Sequence, residues 1–354
     1  ISPSPTLAIT AKANRMKKEG IDIIGFGVGE PDFDTPANIK EAARKAMEKG
    51  LTKYTPTSGI PELKDAIIRK FKKDNGLEYK ADEILVSCGA KHSIFNAVLA
   101  LCDEGDEVLL PSPYWVSYPE MVKLAEGVNV YVQTTEANDF KMTPDDFRKA
   151  ITPKTKMLIM NSPSNPTGSL YSKKELKAIA DICVEKNIII CSDECYEDLV
   201  YDGEEYVSVA SLSKEIYDLT ISCFTFSKSY SMTGWRLGYC AGPKEAISAM
   251  SEIQSHTTSN PTSFVQKGGI EAIVGPSAEP LKKMHDEFDK RRKRIVELLK
   301  GIPGVTCRVP KGAFYVFPNV SAYYGKTLDG KKVTNSVELC AYLLEKAHVA
   351  MVPG

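Results

Sequence analysis

Stretches with an apolar residue at every third or fourth position alternate along the chain with short runs that are apolar throughout. Residues 35–50 begin with a threonine and a proline, carry an apolar stripe that includes Ile39, Ala43 and Ala46, and end at a glycine. This is typical of a helix with an N-cap, a proline in its first turn and one buried face. Residues 61–75 repeat the pattern, so two amphipathic helices are predicted near the N-terminus.

Two further helices are predicted between apolar runs. Residues 93–101 form one helical stretch, and residues 172–187 form another, in which Ser172 and Glu175 have the spacing of a capping box. Seven short runs rich in Ile, Val and Leu predict strands at 84–88, 107–110, 128–134, 156–161, 188–192, 220–225 and 238–241. Continuously apolar strands separated by helices indicate an α/β fold with a mostly parallel sheet covered by helices on both faces.

The pattern changes after Gly275. A long charged helix is predicted at 278–301, strands at 305–309 and 314–317, and a last helix at 335–347. These elements favour a smaller α+β domain. The predicted division is an N-terminal arm with part of the small domain (1–30), a large α/β domain (31–275) and the small domain (276–354).

Composition excludes several classes of protein. The 354 residues hold 45 Lys and Arg against 46 Asp and Glu, without the basic patch of a nucleic-acid binder. The longest apolar runs have the length of strands, and the first 20 residues lack the apolar core of a secretory signal, so a cytoplasmic protein without a membrane partner is expected. The nine Cys and four His are scattered, and we expect neither disulfides nor a metal site.

Residues that can do chemistry follow the predicted strands. Ligands of open α/β sheets bind beyond the carboxyl ends of the strands. The side chains and backbone groups expected there are those of Gly89, Ala90, Lys91, Trp115, Asn165, Asp193, Tyr196, Ser227, Lys228 and Arg236. Together they offer a phosphate cradle, an aromatic face, an amide, a carboxylate, a phenol and an amine.

The same residues carry a family resemblance. Residues 162–168 (S-P-S-N-P-T-G), 192–196 (S-D-E-C-Y) and 227–238 (S-K-S-Y-S-M-T-G-W-R-L-G) resemble the three signature segments of the class I pyridoxal-phosphate aminotransferases. The segments 29–36, 54–62 and 111–118 are similar to the bacterial aspartate aminotransferase branch of that family. Several ordered motifs across the whole chain are more specific than any one of them.

The resemblance implies a role for each residue around the cofactor. Lys228 forms the Schiff base with pyridoxal phosphate and moves a proton, and Asp193 pairs with the pyridine nitrogen. Tyr196 and Asn165 hydrogen-bond the phenolic oxygen, and Trp115 stacks on the ring. The phosphate is expected at the backbone N–H groups and side chains of Gly89, Ala90, Lys91, Ser227 and Arg236.

Substrate and subunit contacts also follow from the resemblance. Gly29, Trp115 and Asn165 match positions on the α-carboxylate side of the substrate, and Lys91 with Thr6 matches positions near a distal carboxylate. Tyr54 is expected to reach the phosphate of a neighbouring subunit, which implies a homodimer with shared active sites. The family's α-carboxylate-clamping arginine is expected to lie beyond Gly354.

The resemblance implies transfer of the amino group of aspartate to 2-oxoglutarate in a ping-pong cycle through pyridoxamine phosphate. An aromatic or prephenate aminotransferase, or a carbon–sulfur β-lyase, remains an alternative on the same fold. A cofactor-sensing regulatory domain is disfavoured because no basic helix-turn-helix precedes the fold. A dehydrogenase is disfavoured because no G-x-G-x-x-G follows the first strand.

The residues alone also fit structural roles. Asn165 precedes a proline and fits a turn, Trp115 fits the core, and Lys91 fits a solvated helix start. Asp193 fits a helix N-cap or a core salt bridge.

Overall fold

The computed structural model describes residue 1, residues 5–27 and residues 29–354, without the side chains of residues 5–7. The described helices are α1 (Pro5–Lys18), α2 (Ala37–Glu48), α3 (Pro61–Lys70), α4 (Ala90–Leu101), α5 (Tyr118–Leu124), α6 (Pro144–Ala150), α7 (Lys173–Lys186), α8 (Lys214–Tyr217), α9 (Phe226–Ser229), α10 (Lys244–Thr257), α11 (Ser263–Val274), α12 (Ala278–Lys300) and α13 (Ser336–Lys346). Within these described ranges no helix has the length and apolar character needed to cross a bilayer.

The described strands form one large sheet and two small ones. They are β1 (Ile24–Gly25), β2 (Ile84–Ser87), β3 (Glu107–Ser112), β4 (Val128–Gln133), β5 (Thr155–Asn161), β6 (Ile189–Asp193), β7 (Thr220–Thr225), β8 (Gly238–Ala241), β9 (Thr327–Leu328), β10 (Lys331–Lys332) and β11 (Val349–Ala350). The large sheet has the order β2-β8-β7-β6-β5-β3-β4, in which only β8 runs antiparallel to its neighbours. The predicted, mostly parallel α/β sheet is therefore confirmed.

Helices cover both faces of this sheet. Along β6, Cys191 packs in a core cluster with side chains of α4, α5 and α10, whereas Ile190 packs in a second cluster with α6, α7 and α8. Near β2 and β8, helices α3 and α11 cover the same face as Val86. Because successive strand residues point to opposite faces, both faces of β6 must be apolar, which explains its continuous apolar sequence.

The N-cap residues predicted from the sequence are correct for α7 and wrong for α2. At α7 the Ser172 hydroxyl accepts from the Glu175 N–H at 3.3 Å, and the Glu175 carboxylate accepts from the Ser172 N–H at 2.8 Å. The predicted capping box is therefore confirmed. The Thr35 cap is wrong, because α2 begins at Ala37 and the Thr35 hydroxyl instead donates to the Ser231 carbonyl at 2.6 Å.

The two strands predicted at 305–309 and 314–317 are absent from the described structure, which has only isolated bridges at Thr306 and Gly312. The backbone of this region bonds to loops of the large sheet instead. Gly312 N–H donates to the Gly168 carbonyl, and Ala313 N–H donates to the Leu199 carbonyl at 2.8 Å. These bonds hold residues 311–315 over the carboxyl ends of the large sheet.

The two ends of the described chain meet in a small parallel sheet. Ile24 of β1 pairs with Val349 of β11, and Gly25 pairs with Ala350. The hairpin of β9 and β10 lies between α12 and α13 in the chain.

Candidate active site

The expected active-site residues lie where parallel strands of the large sheet end. The strands β2, β3, β5, β6 and β7 run in one direction, and their carboxyl ends form one edge. We call this edge, with the loops that follow it, the rim. The residues at or just after these strand ends are Gly89, Trp115, Asn165, Asp193 and Lys228.

Lys228 lies in the short helix α9, directly after β7. The Thr225 hydroxyl accepts from the Ser227 N–H at 3.1 Å, so the turn begins with a side-chain cap. The Nζ atom of Lys228 donates to the Gly29 carbonyl at 2.5 Å and lies 5.6 Å from the centroid of the Phe314 ring. Burial lowers the pKa of the Lys228 ammonium below its ordinary value. A lowered pKa increases the fraction of neutral amine, which is the nucleophilic form.

Asp193 is the last residue of β6, and only 5% of its surface is exposed. Its Oδ2 accepts a hydrogen bond from the Tyr118 hydroxyl at 2.5 Å, and its Oδ1 accepts from the Cys195 N–H at 3.3 Å. Burial raises the pKa of the Asp193 carboxyl, while these donors and the charge of Lys228 oppose that rise. A cation brought to this carboxylate would offset its cost of burial.

Tyr196 lies in the loop after β6 and meets a residue that the sequence analysis missed. Its hydroxyl lies 2.7 Å from the hydroxyl of Tyr315, which also accepts from Nδ2 of Asn165 at 3.5 Å. Tyr315 belongs to the segment predicted as a strand at 314–317. The same Tyr315 hydroxyl lies 2.9 Å from where a Cβ on Gly29 would be, so a side chain at position 29 would crowd it.

The start of α4 offers hydrogen-bond donors for an anion. Gly89 has φ +91° and precedes Ala90, and no described side chain caps this helix. Nη2 of Arg236 lies 2.7 Å from where a Cβ on Gly89 would be. The Gly89 N–H donates to the Ser87 carbonyl at 2.7 Å, so the N–H groups of Ala90 and Lys91, with the guanidinium beside them, are the better placed donors for a phosphate. Ser227 is buried in the first turn of α9.

The aromatic face is also present at the rim. The Lys91 Nζ lies 4.7 Å from the centroid of the Trp115 ring, and the Trp115 ring meets the Tyr118 ring edge-on at 5.3 Å. The predicted partner of Lys91, Thr6, has a side chain outside the described part of the chain. Tyr54 is 89% exposed and lies at the surface of this single chain.

The donor set fits pyridoxal phosphate. It combines an uncapped helix start and a guanidinium for a phosphate, a buried carboxylate for a pyridinium, phenols for an oxyanion and a buried amine for an aldehyde. Among the described residues, no group of three or more His, Cys, Asp or Glu side chains could hold a metal ion.

Comparison with known proteins agrees with this donor set. A family model described as aminotransferase class I and II matches residues 21–354. The aspartate aminotransferase of Geobacillus stearothermophilus is 52% identical over all of this chain and 89% of its own, and the probable aspartate/prephenate aminotransferase of Aquifex aeolicus is 49% identical with the same coverage.

Solved structures give the same result. The aspartate aminotransferase of Thermus thermophilus, determined with maleate, superposes with a TM-score of 0.93 at 41% identity, covering 100% of this chain and 89% of the other. Sequence, fold and rim chemistry thus agree, and the chain belongs to the class I and II aminotransferases as a pyridoxal-phosphate-dependent enzyme.

Proposed function

We propose that this aminotransferase moves the amino group of aspartate to 2-oxoglutarate in a ping-pong cycle. The observation that carries the choice of an acidic substrate is the Lys91 ammonium at the rim, 4.7 Å from the Trp115 ring. A cation beside the aromatic face suits a substrate with a second carboxylate. The Geobacillus relative bears the name aspartate aminotransferase, and maleate in the Thermus structure is a dicarboxylate.

We assign the cofactor contacts as follows. The N–H groups of Gly89, Ala90 and Lys91 hold the phosphate together with Ser227 and Arg236. The Asp193 carboxylate would hold the ring nitrogen protonated, Tyr196 and Asn165 would donate to the phenolic oxygen, and Trp115 would cover one face of the ring. When bound, pyridoxal phosphate supplies an aldehyde and an electron sink that make the substrate's α-hydrogen acidic.

Lys228 is the proposed proton carrier. Its Nζ donates to the Gly29 carbonyl in the described structure. With pyridoxal phosphate bound, the Lys228 Nζ would accept the proton from the substrate's α-carbon and would then donate it on the cofactor's side of the transferred nitrogen. The lowered pKa of Lys228 favours this role, because a base must be neutral to accept a proton.

The substrate would lie between the rim and the segment that includes Gly29. Gly29, Trp115 and Asn165 are assigned to the α-carboxylate side, and Lys91 with Thr6 to the distal carboxylate. Replacing Lys91 with Met keeps the length of the side chain and removes its charge. We expect KM for aspartate to rise about tenfold or more, while KM for a monocarboxylic amino acid such as phenylalanine changes little. Equal changes in KM for aspartate and phenylalanine would show that Lys91 does not recognise the second carboxylate of the substrate.

The reaction itself is tested with the purified holoenzyme. Aspartate alone should convert bound pyridoxal phosphate to pyridoxamine phosphate with release of oxaloacetate, and 2-oxoglutarate should reverse the spectral change. Release of pyruvate, ammonia and a thiol from an amino acid with sulfur on its β-carbon, such as cystathionine, would instead indicate a carbon–sulfur β-lyase.

A prephenate aminotransferase is the second candidate, because the Aquifex relative bears the name aspartate/prephenate aminotransferase. The two activities are separated by converting the enzyme to its pyridoxamine phosphate form with glutamate. The values of kcat/KM for prephenate and for oxaloacetate as amino-group acceptors are then compared. A higher kcat/KM for prephenate would make it the preferred acceptor.

We also propose a homodimer in which Tyr54 reaches the partner's phosphate. The 89% exposure of Tyr54 in the single chain supports this proposal. Light scattering should give twice the chain mass, and Tyr54→Phe should weaken cofactor binding without changing that mass. We further propose that the chain is divided into an N-terminal arm with part of the small domain (1–30), a large domain (31–275) and a small domain (276–354). A cytoplasmic location is also proposed.

A further inference from the structure

Tyr118 is buried at the point where α5 meets the end of β6. It is the first residue of α5, and only 2% of its surface is exposed. Its hydroxyl lies 2.5 Å from Oδ2 of Asp193, 75 residues away in sequence. Strand alternation explains the meeting: Asp193 points to the same face of the sheet as Cys191, and Tyr118 packs in the core cluster of Cys191.

The direction of this hydrogen bond follows from the chemistry of the two groups. Burial and the charge of Asp193 raise the pKa of the Tyr118 phenol well above its ordinary value, so the phenol keeps its proton. An ionised carboxylate can only accept. Tyr118 is therefore the donor, and the Cys195 N–H is the donor to the other carboxylate oxygen.

We infer that Tyr118 is a positioning residue of the active site, whose hydroxyl holds the Asp193 carboxylate ionised and oriented toward the cofactor's ring nitrogen. This inference rests on the function proposed above for Asp193. A hydrogen bond from a buried donor favours the charged form of a carboxylate and opposes the effect of burial. Tyr118 thus determines how well Asp193 can hold a proton on the pyridine ring.

The Tyr118 ring also contacts the other group assigned to the cofactor's ring. It meets Trp115 edge-on, with 5.3 Å between ring centroids and 85° between ring planes. One buried side chain therefore supports both the carboxylate at the ring nitrogen and the indole at the ring face. Supports of this kind fix the groups that touch a ligand.

Other ionisable groups also act on this carboxylate. Cys195 follows on the same loop, Lys228 approaches from α9, and Tyr196 and Tyr315 are close enough to be influenced by the Asp193 charge. The Tyr118 hydroxyl is the one side-chain oxygen with a hydrogen bond to the Asp193 carboxylate in the described structure. A variant that removes this hydroxyl alone therefore tests one contact.

The experiment is a double-mutant cycle on cofactor affinity. The wild type, Tyr118→Phe, Asp193→Asn and the double variant are prepared as apo-proteins, and the dissociation constant for pyridoxal phosphate is measured by absorbance. Each single variant should bind at least about tenfold more weakly, since each loses a hydrogen bond to a charged group or the charge itself. The double variant should bind within about twofold of Asp193→Asn, because Tyr118 acts through Asp193.

A pH profile distinguishes positioning from simple packing. Removing the phenol raises the pKa of Asp193, so the acid-side midpoint of cofactor affinity should move to higher pH in Tyr118→Phe. Tyr114→Phe is the matched control, because the Tyr114 ring stacks on Tyr131 at 5.2 Å. This control should keep the wild-type affinity and midpoint. Circular dichroism and thermal melting check that all variants are folded.

The results separate two failures. Wild-type affinity in Tyr118→Phe, additive losses in the double variant or an unmoved acid midpoint would overturn the role of Tyr118. Unchanged affinity in Asp193→Asn would overturn the proposed cofactor contact of Asp193 itself.

Discussion

The carbonyl oxygen of Gly29 accepts a hydrogen bond from Nζ of Lys228 at 2.5 Å, although the two residues are 199 positions apart. Gly29 follows β1 near the N-terminus, and Lys228 follows β7 of the large sheet. The contact thus brings an N-terminal segment to the rim, where its backbone holds the proposed catalytic amine.

Replacing Gly29 with alanine should impair the reaction. The added Cβ would lie 2.9 Å from the Tyr315 hydroxyl, so the tyrosine or the Gly29 backbone must move. We expect kcat/KM for aspartate to fall about tenfold or more, measured by coupled assay of oxaloacetate. Gly25→Ala is the control, since a Cβ there meets nothing within 4 Å. Equal activity of the two variants would contradict the crowding argument.

Replacing Lys228 with alanine should abolish the visible absorption that pyridoxal phosphate shows when attached to the protein. Turnover should fall at least about 1000-fold, because both the attachment and the proton carrier are lost. Mass spectrometry after borohydride reduction should find the cofactor's mass on Lys228 in the wild type. Lys214→Ala removes an exposed lysine and should retain both spectrum and activity. An unchanged spectrum in Lys228→Ala would refute the assignment.

The Arg292 guanidinium stabilises the segment that carries Tyr315. Its side chain is 5% exposed, forms two hydrogen bonds to Asp202 and donates to the Pro310 carbonyl at 2.7 Å. Arg292→Met removes a buried guanidinium that donates to Asp202, Asp289 and the Pro310 carbonyl, but water can solvate the half-exposed Asp202 carboxylate that remains, so the free energy of unfolding should fall by about 2 kcal/mol. Urea denaturation measures the change.

Arg294→Met is the control for that loss. The side chain of Arg294 is 62% exposed and pairs with Glu297 at 2.9 Å, so its removal should cost less than about 1 kcal/mol. Similar losses for both variants would show that the Arg292 pair contributes no more than a surface pair.

Glu197 should make stability depend on pH. Burial raises the pKa of Glu197 to about 7, although Lys70 lies 2.5 Å away and opposes the rise. The folded state therefore binds a proton that the unfolded state releases near pH 4.5, so this contribution is present at low pH and is lost as pH rises toward and beyond 7. Glu197→Gln removes it.

The comparison is made by urea denaturation between pH 5 and pH 8. The stability of Glu197→Gln relative to wild type should increase with pH across this range. Glu215→Gln is the control and should show no such trend, because hydrogen bonds from its own backbone and from Ser213 hold the pKa of this exposed carboxyl below its ordinary value and below this range. A constant difference between Glu197→Gln and wild type would mean that Glu197 does not titrate in this window.

The strands of the large sheet could be predicted from the sequence because each was recognised from its own short run of residues. Strands such as β2 and β6 contain continuous apolar runs, and the functional residues follow strand ends, so the places of Asp193 and Lys228 could be predicted from order alone. Glycine and a following helix likewise indicated the anion site at Gly89.

Contacts between distant segments could not be predicted in this way. Tyr315 meets Tyr196 across 119 residues, and Tyr118 meets Asp193 across 75. The strand predicted at 314–317 was wrong, and the backbone just before it, at Gly312 and Ala313, bonds to the loops after β5 and β6 rather than to a neighbouring strand. Thr35 is a residue type that often caps helices and lies just before α2, but its hydroxyl donates to the Ser231 carbonyl instead.

The parallel pairing of Ile24 with Val349 has a mechanical consequence. Because backbone hydrogen bonds join β1 to β11, a displacement of β11 would also displace β1, which precedes Gly29 in the chain. Because the Lys228 ammonium donates to the Gly29 carbonyl, such a displacement would move the hydrogen-bond acceptor of Lys228.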